Sequence, residues 1–86
     1  MSLKAAFLFL SPQADSSVHQ HEIDAGNVCL TTIAVRNAEQ ACSIAEQLIE
    51  KRFNAVELCA GFTVHDAAKI RAVLPNDISL RWSRVL

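Results

Sequence analysis

Residues 4–10, K-A-A-F-L-F-L, are apolar on both of their alternating sets: Ala5, Phe7 and Phe9 on one side, Ala6, Leu8 and Leu10 on the other. A strand that buries only one face alternates with polar residues. This one does not, so it reads as a central strand covered on both faces and ended by Ser11-Pro12. The rest of the chain must supply its neighbours. Residues 28–35, V-C-L-T-T-I-A-V, are rich in β-branched residues and predict a second strand. Residues 54–60 predict a third, and 78–84, I-S-L-R-W-S-R, a fourth with strict alternation.

Helices fall between these strands. Asn37 is placed to cap a helix, with Gln40 at the third position of a capping box and apolar residues at 41, 44, 45, 48 and 49. Thr63 opens a second helix through a T-x-x-D box completed by Asp66. Ala67, Ala68, Ile70, Val73 and Leu74 form its inner side, and Pro75 stops it. A weaker helix is predicted over 16–24, capped by Asp15, with Val18 and Ile23 inward and Gly26 as the stop; an irregular loop is the alternative.

With 86 residues, the expectation is a single α/β domain spanning 1–86. Alternating strands and helices predict a small four-stranded parallel sheet in the order 2-1-3-4 with three helices, like half of a Rossmann or flavodoxin sheet. Right-handed crossovers then put the first helix on one face and the other two on the opposite face. Strands three and four are left uncovered on the first helix's side. Glu57 and Cys59 of A-V-E-L-C-A-G-F-T point to that open side, opposite Val56 and Leu58. Ser79, Arg81 and Ser83 share it, while Ile78, Leu80 and Trp82 face the helices. Arg81 is a candidate ion-pair partner for Glu57. Packing against a second copy is the favoured fate of the open face, because parallel sheets are seldom left bare. Glu57, Arg81 and Trp82 are the candidate interface residues.

Composition narrows the function classes. The net charge is −1 and the eight Lys and Arg are scattered, so no basic stripe exists for nucleic acid. No apolar run approaches the roughly 18 residues that span a bilayer. Ala5–Leu10 is too short for the core of a secretory signal. Three cysteines, 29, 42 and 59, match neither a zinc motif nor a disulfide framework and suit a reducing, cytoplasmic setting.

Several residues bear on chemistry. The turn Ala60-Gly61-Phe62-Thr63 lies at the carboxyl end of the third strand, where open α/β sheets bind ligands and exposed N–H groups favour anions. Ser11, Gly61, Phe62, Thr63 and Arg84 are the candidate contacts for a small polar or anionic ligand, although a tight strand-to-helix turn also explains the glycine. Cys59 or Glu57, with His19, are the candidate catalytic residues. A buried inert thiol and a structural ion pair are the plainer readings. In a helix, His19 and His21 would point to opposite sides, so no metal site is expected; only an extended segment lets them face one ion. His65, in the first turn of a helix, reads as a surface residue. No cofactor is implied.

The residues E-L-C-A-G-F, the opening K-A-A-F-L-F-L and His19 resemble a family of short bacterial proteins classed as a domain of unknown function, nearly end to end. The chain departs at Ala60, where the family's E-L-C-G-G-F pattern has glycine. The resemblance implies a compact α/β fold and no known activity; Glu57, Cys59, Gly61, Phe62 and His19 match its pattern. Two functions stay open: a non-enzymatic binding or assembly module that forms a homo-oligomer, and a small enzyme with its site at a subunit interface.

Overall fold

The structure, a computed structural model, describes residues 2–82. Its elements run β1 (Leu3–Leu10), β2 (Gln20–Asp24), β3 (Val28–Val35), α1 (Ala38–Glu50), β4 (Ala55–Leu58), α2 (Val64–Val73) and β5 (Ser79–Trp82). The five strands make one sheet in the order β2-β3-β1-β4-β5. β3, β1, β4 and β5 are mutually parallel, and β2 pairs antiparallel with β3.

This corrects the expected four-stranded, all-parallel sheet with three helices: the sheet has five strands and is mixed, and there are two helices among the described residues. The four predicted strands keep their predicted relative order. The error lies in residues 16–24. Asp15 does cap, but it caps one turn: its carboxylate accepts from the Ser17 N–H at 3.0 Å and hydroxyl at 2.6 Å. Its carbonyl accepts from the N–H groups of Val18 and His19. The chain then extends, because residues 20–24 find a ladder along β3. Gly26, at φ +84°, makes the hairpin turn rather than ending a helix, with its N–H donating to the Asp24 carboxylate. Val18 and Ile23 are exposed instead of inward.

The two remaining helices form as their sequences require. The Asn37 side chain accepts from the Gln40 N–H at 2.8 Å, and the Gln40 side chain reaches back to the Arg36 N–H at 2.7 Å. Ala41, Ile44, Ala45 and Leu48 of α1 are buried as the stripe predicts, with Ile49 packed at the margin. At α2 the predicted capping box is complete: Thr63 Oγ1 accepts from the Asp66 N–H, and the Asp66 carboxylate accepts from the Thr63 N–H. Ile70 is buried, whereas Ala68, assigned to the inner side, is exposed.

Both helices cover the same face. Ala6 and Leu8 of β1, Ile33 and Val35 of β3, and Val56 and Leu58 of β4 form one core with Ile44, Leu48 and Ile70. With no helix over 16–24, no helix among the described residues covers the opposite face at any point from one edge to the other, not only over the last two strands. β1 is therefore central but not covered on both sides. β4 is shorter than the predicted 54–60, and β5 begins one residue later than the predicted 78; Ser83 and Arg84 lie outside the described residues. No helix among the described residues is long and apolar enough to cross a membrane.

Candidate functional site

Strand register turns the bare face into a grid. One row across it reads Ile23, Leu30, Ala5, Ala55, Ser79, and the next reads His21, Thr32, Phe7, Glu57, Arg81. Leu3 and Val28 are paired nearer the amino ends of β1 and β3. Toward the carboxyl ends, Ala34 pairs with Phe9, and continuing the register puts His19 beside Ala34 and Cys59 beside Phe9. The hydrogen bonds from Ala34 N–H to the His19 carbonyl and from Cys59 N–H to the Leu8 carbonyl support both extensions. The face is graded. The β2-β3-β1 side is mainly apolar, with Leu3, Phe9, Ile23 and Val28 exposed and Phe7 and Leu30 half-buried, while the β4-β5 side is polar.

Glu57 and Arg81 thus stand side by side on the open face, as their parity predicts. They are not joined. The ion pair found among the described residues links Lys69 to Glu39 at 3.5 Å on the helices. Trp82 faces the other way and packs against the core, so of the three interface candidates only Glu57 and Arg81 lie on the bare face.

The same register separates the catalytic candidates. His19 and Cys59 lie at opposite ends of a row with β3 and β1 between them, three strand spacings or roughly 14 Å apart. That is far beyond the reach of a hydrogen bond between a thiol and a base. Glu57 lies one row further toward the amino end of the sheet. The Cys59 thiol is pushed up from its ordinary value, first by burial and then by the nearby Glu57 carboxylate, which opposes the thiolate. Burial, followed by the charge of Glu39, raises Cys42 as well. Cys29 is raised first because its thiol donates to the Glu22 carboxylate at 3.2 Å.

The A-G-F-T turn is built for packing. Gly61 takes φ +98°, and a side chain there would place its Cβ 2.9 Å from Leu10 Cβ and 3.0 Å from the Leu10 carbonyl oxygen. The close approach that demands glycine is therefore to β1. Phe62 is buried in the helix-side core, and the Thr63 and Asp66 N–H groups are occupied by the capping box. Of the ligand candidates, Ser11 lines a cleft, and Arg84 lies outside the described residues.

That cleft, 330 Å³ in volume, sits at the carboxyl ends of β1 and β3 and is lined by Phe9, Ser11, Gln13, Ala14, His19 and Ala34. The 11–19 loop forms its wall, anchored by the Ser11 N–H to the Val35 carbonyl and by Ala14, which is buried. His19 is held from behind, its Nδ1 accepting from the Asp15 N–H at 3.0 Å. The Asp15 carboxyl is held below its ordinary value by the Ser17 hydroxyl and N–H, with the Arg36 charge nearby adding to the effect. Sequence reasoning missed Phe9, Gln13, Ala14 and Ala34. Phe9 carried a signal, as a large apolar side chain on the face that the absent helix was to cover. Because residues 20–24 are extended, His21 shares this face with His19. No group of three or more His, Cys, Asp or Glu among the described residues is arranged to hold a metal ion.

Comparison with curated proteins and with solved structures finds no match for the chain. A family model matches residues 3–84, and with them both the bare sheet face and the cleft, so the chain belongs to the Family of unknown function (DUF6506).

Proposed function

We propose that the protein is a non-enzymatic binding and assembly module of the cytoplasm that pairs with a second copy of itself through its bare sheet face. The observation that carries this is the placement of α1 and α2 on one side of the sheet, leaving Leu3, Phe7, Phe9, Ile23, Val28 and Leu30 on the other. The strands hold eight, five, eight, four and four residues, which at about 3.3 Å each and about 4.8 Å apart outline a face of roughly 460 Å², about 330 Å² of it on the β2-β3-β1 side. The apolar β2-β3-β1 part is within the size of the functional patches that monomers expose, and two whole faces give about 900 Å², the size of a weak, concentration-dependent contact. Charge favours a copy of the same chain. Glu57 and Arg81 sit next to each other without pairing, and a two-fold contact lets each meet its opposite on the partner. Three free cysteines suit a reducing compartment.

Sedimentation equilibrium tests the assembly. The expected result is a dimer at about 0.1 mM, weakened roughly tenfold or more by Glu57→Arg or by Arg81→Glu and restored when both are combined. A wild-type monomer at that concentration, or two single reversals without effect, removes this reading. The cleft carries the binding half of the proposal, a small polar ligand at the carboxyl edge of the sheet. The rival enzyme reading gains nothing from the geometry, which parts His19 from both Cys59 and Glu57.

A further inference from the structure

The cleft beside His19 also constrains what enters it. Its floor is apolar: the Phe9 ring, 37% exposed, lies beside Ala34 and Ala14, both almost fully buried. Its polar groups are Ser11, Gln13 and His19, and none of the six lining residues is Lys or Arg. The Asp15 N–H can only donate, so Nδ1 of His19 must accept. In the neutral imidazole the proton is then on Nε2, which makes His19 a fixed donor. The Ser11 hydroxyl and the Gln13 amide can donate as well. The Asp15 carboxylate stands close enough to Arg36 to feel its charge, and it offsets the positive charge Arg36 would offer an anion. A volume of 330 Å³ is at the small end of ligand sites and suits one ring and its substituent.

From this we infer that the cleft binds a compact neutral molecule with a flat apolar body and a carbonyl-type acceptor, the ring lying on Phe9 and the acceptor taking hydrogen bonds from His19 Nε2–H and the Ser11 hydroxyl. This class is narrower than the polar or anionic ligand expected from the sequence. It rests on the binding half of the proposed function and does not require the assembly half.

The test is a titration of the whole protein followed by the amide signals of uniformly ¹⁵N-labelled chain, using three probes. Benzamide carries ring and carbonyl, benzoate the same ring with a negative charge, and acetamide the carbonyl without the ring. Benzamide is expected to shift the signals of Ser11, Ala14, His19 and Ala34 and the imidazole Nε2 resonance of His19. Benzoate and acetamide are expected to bind at least about tenfold more weakly. Phe9→Ala and His19→Ala, checked for intact fold by their remaining signals, should each weaken benzamide by about tenfold. Ser11→Ala provides a second probe of the acceptor contact should His19→Ala disturb the turn at Asp15. Benzamide shifts elsewhere, benzoate binding as tightly as benzamide, or benzamide binding indifferent to Phe9→Ala and Ser11→Ala would each overturn the inference. The titration is repeated on Arg81→Glu, and sedimentation is run on the same samples. Because Phe9 also lies on the face proposed for pairing, the ligand is judged on monomeric Arg81→Glu: no benzamide shifts there sink the ligand and leave the assembly, and wild-type monomers with those shifts do the reverse.

Discussion

Gly61 and Gly26 share a left-handed backbone but differ in what surrounds them. A Cβ on Gly26 meets nothing within 4 Å, whereas one on Gly61 would strike Leu10 Cβ and its carbonyl oxygen in the central strand. Gly26→Ala is therefore expected to cost about 1 kcal/mol from conformation alone, and Gly61→Ala at least about 2 kcal/mol because β1 must also give way. Urea unfolding of the two variants checks the order. Thr31 makes the opposite prediction. It is buried on the helix side of β3, and its hydroxyl has no hydrogen-bond partner. Thr31→Val keeps the shape and removes the unsatisfied group, so stability should rise by up to about 1–2 kcal/mol, seen as a higher urea midpoint with an unchanged slope. Cys59 speaks to chemistry rather than stability. Burial and the Glu57 carboxylate hold the thiol protonated at neutral pH. With Cys29→Ser and Cys42→Ser in the background, iodoacetamide should label it at pH 7 more slowly than an unfolded control, and the rate should climb only on the alkaline side of an ordinary thiol. Labelling faster than the control would revive the enzyme reading.

Among the elements, α2 depends most on its ends. Of its own residues, Ile70 alone is buried, so packing does less for it than for α1, which buries five. The Thr63–Asp66 box closes its start. At the other end Nη2 of Arg71 reaches the carbonyls of Pro75 at 2.7 Å, Leu74 at 3.2 Å and Ile78 at 3.3 Å, tying the helix to the loop that leads into β5. Thr63→Ala and Arg71→Ala should each cost about 1–2 kcal/mol, and Arg71→Lys should restore only part, since the lysine ammonium lies one bond nearer the backbone than Nη2 and falls short of the same carbonyls. Amide exchange in α2 should accelerate in both alanine variants while α1 stays protected. The caps and stripes of these helices were legible because they are local: the residues that decide them lie within four positions of one another. β2 was not legible for the converse reason. Q-H-E-I-D carries one aliphatic residue and is exposed throughout, so no periodicity marks it. Its state is decided by the unpaired edge of β3, which the chain reaches only after Gly26.

At the scale of the molecule, the order of the four parallel strands and the outward parity of Glu57 and Arg81 were readable from alternation and the handedness of crossovers. The extent of the bare face was not, since it depends on the missing helix. Nor was the cleft, which needs Phe9 of β1, Ala34 of β3 and the 11–19 loop to meet in space. The central position of β1 has another consequence. It is the first strand made, yet its two neighbours are residues 28–35 and 55–58. During synthesis the most apolar segment of the chain emerges ahead of both partners, and one of its flanks stays open until residues 55–58 have been made. A ribosome stalled anywhere before β4 would therefore display a sticky, half-clasped ribbon. For this small protein the time of greatest danger is while it is being born.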